Sequence, residues 1–255
     1  VRSQPGTVGH LALSRPEARN AVSQALLAEL SSGLREVSSD ESCRVVVLAG
    51  EGEHFCAGAD FAEIESGPAE FERAFADVLS EITRLPVPVL VGIQGAALGA
   101  GCQIALACDL AVATTDARIG IPSSRLGIVI GFENIERLVL SVGPKRAGEL
   151  LYTGRPVSGE TAAHWGLVNQ AVPPDRLTER VQEIAEAIAS SAPLSVRGSK
   201  RGIAAVLGHL SVDRASERDG VAEVDAAAAE AFASEDLREG IAAFRERRDP
   251  RFRGL

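Results

Sequence analysis

Apolar residues recur along this chain in two rhythms. Residues 7–13 (TVGHLAL), 44–49 (RVVVLA), 88–93 (PVLVGI) and 110–113 are short, mostly continuous apolar runs, as in strands covered on both faces. Between the first two, Leu26, Leu27, Leu30, Leu34 and Val37 fall on one helical face behind Ser23, whose hydroxyl suits an N-cap. Over residues 68–84, Phe71, Phe75, Val78, Leu79 and Ile82 do the same. Pro122 keeps residues 119–122 extended. From Phe132 onward the pattern predicts mainly helix, broken at Gly143-Pro144 and Gly154-Arg155-Pro156. A short extended piece at 167–172 precedes helices near 175–191, 193–207, 213–232 and 234–247. An alternating half followed by a helical half predicts a layered α/β core, residues 1–191, with a C-terminal helical region, residues 192–255.

Two segments interrupt this regular pattern. Residues 54–60 read HFCAGAD and residues 94–103 read QGAALGAGCQ. Each follows a buried strand and precedes a helix, and small residues there let backbone approach a ligand. N–H groups at a helix start are unpaired, and two of them aimed at one point would stabilise a developing oxyanion. The same glycines would equally serve tight turns and close helix–strand packing. Neither segment is a phosphate loop, because GxxxxGK[ST] is absent and no GxGxxG follows the first strand.

Composition narrows the function classes. The 255 residues are 45% hydrophobic and 24% charged with a net charge of −9, so a nucleic-acid partner would need a basic patch that the sequence lacks. No run approaches the roughly 18 apolar residues of a membrane span, and residues 1–6 (VRSQPG) carry no signal-peptide core, which together predict a cytoplasmic protein. Cys43, Cys56, Cys102 and Cys108 lack CxxC spacing and sit in apolar settings, as small buried thiols do. His10, His54, His164 and His209 are scattered, so no zinc or other metal site is expected. His54 reads as structural. Trp165 and Tyr152 read as packing residues.

The motifs carry a resemblance. Residues 14–21 (SRPEARNA), 55–60 (FCAGAD), 95–109 (GAALGAGCQIALACD), 151–173 and 192–200 together resemble the enoyl-CoA hydratase/isomerase (crotonase) superfamily over nearly the whole chain. The resemblance implies a spiral of ββα turns, a C-terminal region that assembles a homotrimer or a dimer of trimers, and an acyl-CoA thioester as ligand without a further cofactor. It implies that the N–H groups of Ala59 and Ala100 hold the thioester oxygen and that the Ala57 carbonyl meets the adenine. Ala18 and Arg19 would lie along the CoA, Gly58, Asp60 and Gly99 would complete the lining loops, and Lys200 would face CoA phosphates, as Arg15 and Arg197 also could. The helix near residues 61–75 would wall the acyl pocket, with a neighbouring subunit as a further source. The family usually has glycine at the Ala100 position.

Two positions depart from the family's chemistry. Its hydratases use two glutamates to position and activate the water that adds across the enoyl double bond, and here those positions hold Gln103 and Ser123. An amide cannot take a proton near neutral pH, and a positioned acid or base contributes about 10²–10⁴-fold. Some relatives carry aspartate where Gly131 stands. Glu133 and Glu136 are the nearest other acids, and both read as favourable charge at a helix start. The sequence is similar to an actinobacterial branch that also has glutamine and "PxS" at these points, with at least one member regarded as a non-catalytic acyl-CoA binder linked to cell-wall lipid supply. Three readings stay open: an acyl-CoA binder of lipid metabolism with weak or no hydratase activity; an isomerase or thioester hydrolase using an acid such as Glu133; and a slow hydratase in which Gln103 places water.

Overall fold

The computed structural model describes residues 1–4, 6–210, 226 and 229–253. One six-stranded sheet runs in the order β1 (Arg2–Gln4), β2 (Val8–Leu13), β3 (Val45–Gly50), β4 (Val89–Ile93), β6 (Leu110–Thr114), β9 (Gln170–Val172). The β1–β2 pair is antiparallel and every other neighbour parallel. A second sheet of three strands orders β5 (Ala96–Leu98), β7 (Arg118–Gly120) and β8 (Val157–Ser158). The helices are α1 (Gln24–Ser39), α2 (Phe61–Ser66), α3 (Pro68–Arg84), α4 (Ala100–Ala107), α5 (Phe132–Thr153), α6 (Gly159–Trp165), α7 (Leu177–Ala189), α8 (Pro193–Leu210) and α9 (Glu235–Glu246).

The apolar rhythm accounts for most of this. Ser23 Oγ accepts the Leu26 N–H at 3.2 Å and starts α1, and the predicted leucine face is buried. The apolar face of α3 packs into the same core as α1, β2, β3 and β4. On the other side of the sheet, Leu177, Val181 and Ala185 of α7 cover Val45, Val47, Leu90 and Val112. Both faces of β3 and β4 are therefore buried, as continuous apolar runs require.

Several elements differ from the sequence reading. The predicted break at Gly143-Pro144 is a kink inside α5, where Gly143 takes φ 78° and the helix resumes. Strand β5 lies within the Gly/Ala-rich segment, where intrinsic strand preference is weak and pairing with β7 supplies the order. The apolar pattern does not mark β1, β8, α2 or α6 as separate elements. Tyr152 is 83% exposed and is not a packing residue, whereas Trp165 packs on the core with Arg146 stacked 5.7 Å above its ring. The helix expected over 213–232 lies almost wholly outside the described residues.

Candidate functional site

The parallel strands β2, β3 and β4 all deliver their following loops to the same end of the sheet. Residues 14–22 follow β2, residues 51–60 follow β3 and residues 94–99 follow β4. Backbone hydrogen bonds stitch the three together. The Phe55 N–H donates to the Gln94 carbonyl at 2.8 Å, the Cys56 N–H to Ala96 at 2.9 Å, and the Leu98 N–H back to Cys56 at 3.0 Å. On the other flank the Ala57 N–H donates to Arg19 at 3.0 Å, the Val22 N–H to Gly58 at 2.8 Å, and the Asp60 N–H to Val22 at 2.8 Å.

This last pair fixes the direction of Ala59. Val22 and Ala59 form a parallel bridge in which Gly58 and Asp60 supply the bonds, so the Ala59 N–H points away from Val22. Ala100 is the first residue of α4. Its N–H has no acceptor in a helix that begins there, and the positive end of the helix dipole adds to it. Among the described residues neither N–H donates to a protein acceptor. The residues just before them lie side by side: a Cβ on Gly99 would stand 3.9 Å from the Gly58 Cα. Gly99 takes φ 52° and ψ −114°, a conformation open essentially to glycine. Gly101 allows α4 to rest on the first loop, since a Cβ there would fall 2.4 Å from the Cys56 carbonyl oxygen.

Asn20, absent from the candidates drawn from sequence, anchors the outer loop. It is fully buried, with φ 55°. Its Nδ2 donates to the Glu51 and His54 carbonyls at 2.9 and 2.8 Å, and its Oδ1 accepts the Arg15 N–H at 2.8 Å. The prior signals were its place in the 14–21 motif and its residue type, since asparagine tolerates the left-handed region better than most. Arg15 donates to the Ala21 carbonyl at 2.8 Å and meets Asp60 at 3.3 Å, so it braces the loops and its charge is partnered inside the fold. Asp60 also caps α2 by accepting the Ala62 N–H. His54 Nδ1 accepts the Ala96 N–H at 3.2 Å and pins β5.

Gln103 sits in the first turn of α4 and is only 7% exposed. Ser123 is half-buried and opens a 3-10 turn, Ser123–Arg125, after β7. Gly120, the last residue of β7, accepts the Gly99 N–H at 2.9 Å, which brings that turn to the mouth of α4. Ala18 and the exposed Arg19 lie in the left-handed turn whose carbonyl receives Ala57. Glu133 is exposed and pairs with Arg137 at 3.5 Å, as helix-start charge does. Burial pushes the Cys56 and Cys102 thiols up to about 12, so neither supplies a thiolate near neutral pH.

Lys200 stands apart from this group of loops. Its Nζ donates to the Val87 carbonyl at 2.9 Å and to Asp109 at 2.7 Å. Both partners precede their strands, whereas the loops above follow theirs. The ammonium thus lies at the opposite end of β4 from those loops, where it joins α8 to the sheet. Arg197, one turn earlier on α8, buries its Nε without a partner among the described residues.

An apolar cluster packs beside Ala59. Leu237 and Ile241 of α9 pack on Ile64 of α2, with Ala59, Phe61 and Ile128 around them. Phe61 and Phe244 meet edge to face at 4.9 Å, and Arg245 pairs with Glu65 at 2.8 Å. Among the described residues no helix is long and apolar enough to cross a membrane.

Residues 3–254 match the family model for enoyl-CoA hydratase/isomerase. The chain is 35% identical over 247 residues to a crotonyl-CoA hydratase of Syntrophomonas wolfei, covering 95% of this chain and 93% of the relative. It is 34% identical over 253 residues to a short-chain-enoyl-CoA hydratase of Clostridium acetobutylicum, at 97% and 95% coverage. The crystal structure of an enoyl-CoA hydratase from Bacillus anthracis superposes with a TM-score of 0.77 at 35% identity, covering 100% of this chain and 99% of that one. With the family model spanning nearly its full length and the crotonase fold in place, this chain belongs to the enoyl-CoA hydratase/isomerase family.

Proposed function

We propose that this protein binds the thioester group of an acyl-CoA between the Ala59 and Ala100 N–H groups and turns it over by hydration weakly or not at all. The observation that carries the reading is Gln103, a buried amide in the first turn of the helix that presents Ala100. An amide can hold a water but cannot take its proton. Ser123 beside the helix mouth has no carboxylate or histidine partner among the described residues. The apolar cluster of Phe61, Ile64, Leu237 and Ile241 beside Ala59 is suited to an acyl chain.

The rest of the reading follows from the family. The ligand is the CoA thioester with no further cofactor, the setting is fatty-acid or lipid metabolism in the cytoplasm, and residues 192–255 assemble a trimer or a pair of trimers. Gln103 with Ser123 supports placing the chain in the branch that lacks both glutamates. A second reading is an enoyl-CoA hydratase or isomerase with a different acid or base. It is favoured by relatives that carry hydratase names, and disfavoured at Glu133 by exposure and its pairing with Arg137.

Steady-state hydration of short- and long-chain 2-enoyl-CoA, followed by loss of the conjugated thioester absorbance, decides between them. With ligand binding confirmed by calorimetry, turnover is expected below about one per second, under the usual range for enzymes. Gln103→Glu combined with Ser123→Glu is expected to raise it by about a hundredfold or more. Parent turnover in the ordinary enzymatic range would overturn the binder reading.

A further inference from the structure

The two N–H groups proposed to hold the thioester oxygen come from different loops, and such a pair works only when both aim at one point. Ala59 is held from the loop after β2, through the Val22 bridge and the bond from the Ala57 N–H to the Arg19 carbonyl. Ala100 follows β5, whose small residues carry little strand preference, so its order comes from its neighbours. Strand β7 pairs with one edge of β5. The other edge faces residues 54–56.

On that edge the pairing is parallel. The Cys56 N–H donates to the Ala96 carbonyl at 2.9 Å and the Leu98 N–H to Cys56 at 3.0 Å. A parallel ladder spaces its bonds evenly, so the next acceptor, for the Ala96 N–H, would be the His54 carbonyl. That carbonyl is turned away. The Phe55 N–H donates to Gln94 at 2.8 Å, and across a trans peptide the His54 carbonyl points the opposite way. There it accepts the Asn20 amide at 2.8 Å. The His54 imidazole takes the rung instead, its Nδ1 accepting the Ala96 N–H at 3.2 Å. Gly95 makes room for the ring, since it takes φ 57° and a Cβ there would stand 2.4 Å from Nδ1.

We infer that His54 is a positioning residue that sets the Ala59 and Ala100 N–H groups against each other. Its carbonyl holds the Ala59 flank through Asn20, and its Nδ1 holds the strand that leads into Ala100. This rests on the thioester reading above. His54 acts only through backbone, so its effect is on the aim of the two donors. The role needs an acceptor at Nδ1, and the ring proton therefore belongs on Nε2, which has no partner among the described residues. Removing the imidazole leaves β5 paired with β7. The sheet then persists, while the edge facing residues 54–56 loosens and Ala100 drifts from Ala59.

Asparagine places Oδ1 where the imidazole has Nδ1, and leucine places a methyl there, so these two replacements separate the acceptor from the bulk. Butyryl-CoA labelled with carbon-13 at the thioester carbonyl reports, by infrared difference spectroscopy, how strongly its oxygen is held. Calorimetry gives the ratio of butyryl-CoA to free-CoA affinity. In the parent the bound carbonyl band is expected below its position in water. His54→Leu is expected to return the band toward that position and to cut the affinity ratio about fivefold, the range of one weakened hydrogen bond. His54→Asn is expected to recover most of both. Parent-like band and ratio in His54→Leu would overturn the inference and leave the thioester site standing. Equal losses in the two variants would overturn it as well, because bulk and not the acceptor would then matter. Should His54→Leu fail to fold, the parent decides: long-range proton–nitrogen NMR correlation is expected to show the His54 ring protonated at Nε2 alone near neutral pH, and a proton on Nδ1 would overturn the inference. An unshifted parent band, with butyryl-CoA binding no better than free CoA, would overturn the thioester reading and the inference together.

Discussion

Ala100 stands at the first position of α4, the one place in a helix where proline is well tolerated, because its missing N–H has no acceptor there. Ala100→Pro therefore removes the N–H proposed to hold the thioester oxygen while the helix keeps its start. Thioester binding is expected to weaken by about tenfold or more, in the range of one lost hydrogen bond to a polarised oxygen. Free CoA, which has no acyl oxygen, should lose less than about threefold on the same reasoning. Calorimetry on butyryl-CoA and CoA reads the difference, and equal losses would remove Ala100 from the site. The contrast with Gln103 is instructive at this scale. Ala100 contributes only backbone, so replacing the family's glycine costs it nothing in donor capacity, whereas replacing a carboxylate by the Gln103 amide changes which protons can move.

Among the elements, the loop from Ser14 to Val22 does more for the site than its surface position suggests. Asn20 ties it to residues 51–54 through two hydrogen bonds and braces it internally by accepting the Arg15 N–H, all while holding φ 55°. Asn20→Ala strands those groups in a fully buried place and puts into the left-handed region a residue that tolerates it less well than asparagine. A loss of about 3 kcal/mol is expected, taking 1–3 for unsatisfied groups and about 1 for the backbone. Asn20→Gly removes the hydrogen bonds but not the backbone freedom, so it should be less damaging by about 1 kcal/mol. Urea unfolding midpoints measure both, and no difference between the two variants would show that the backbone angle carries no cost. Asn20 also marks where legibility ended. The helical face from Leu26 to Val37 and the apolar strands could be read because their period is set by burial, which sequence displays directly. The close approach of the two glycine- and alanine-rich loops could be read because small residues are needed where backbones meet, as at Gly101 over Cys56. Strand β5 could not, since alanine and glycine carry no strand signal and its order comes from β7. Lys200 could not, since only the fold shows that Asp109 and Val87 meet it at the far end of β4.

For the whole molecule, the sheet has two working ends. The loops that leave the strands build the candidate thioester site, and the Lys200–Asp109 pair at 2.7 Å fastens α8 near the strand starts. Beyond that clamp, α8 presents Ile203, Val206 and Leu207, spaced for one helix face and 63%, 59% and 42% exposed. Three large apolar side chains together on one face are costly in water, and the family resemblance offers a second copy of the chain as their cover. On that expectation the protein should sediment at about three or six times the 26.6 kDa chain mass. The double change Ile203→Glu with Val206→Glu places charge on the face without touching the buried core, so the far-ultraviolet circular dichroism should persist while the sedimenting species falls to a single chain. A parent that already sediments as one chain, or a double variant that keeps the larger mass, would show that α8 does not carry the assembly. The outcome also bears on the proposed site, because Leu237 and Ile241 of α9 pack beside Ala59 within one chain. If those contacts suffice, the dissociated variant should still bind butyryl-CoA, and loss of binding on dissociation would mean that a neighbouring chain completes the pocket.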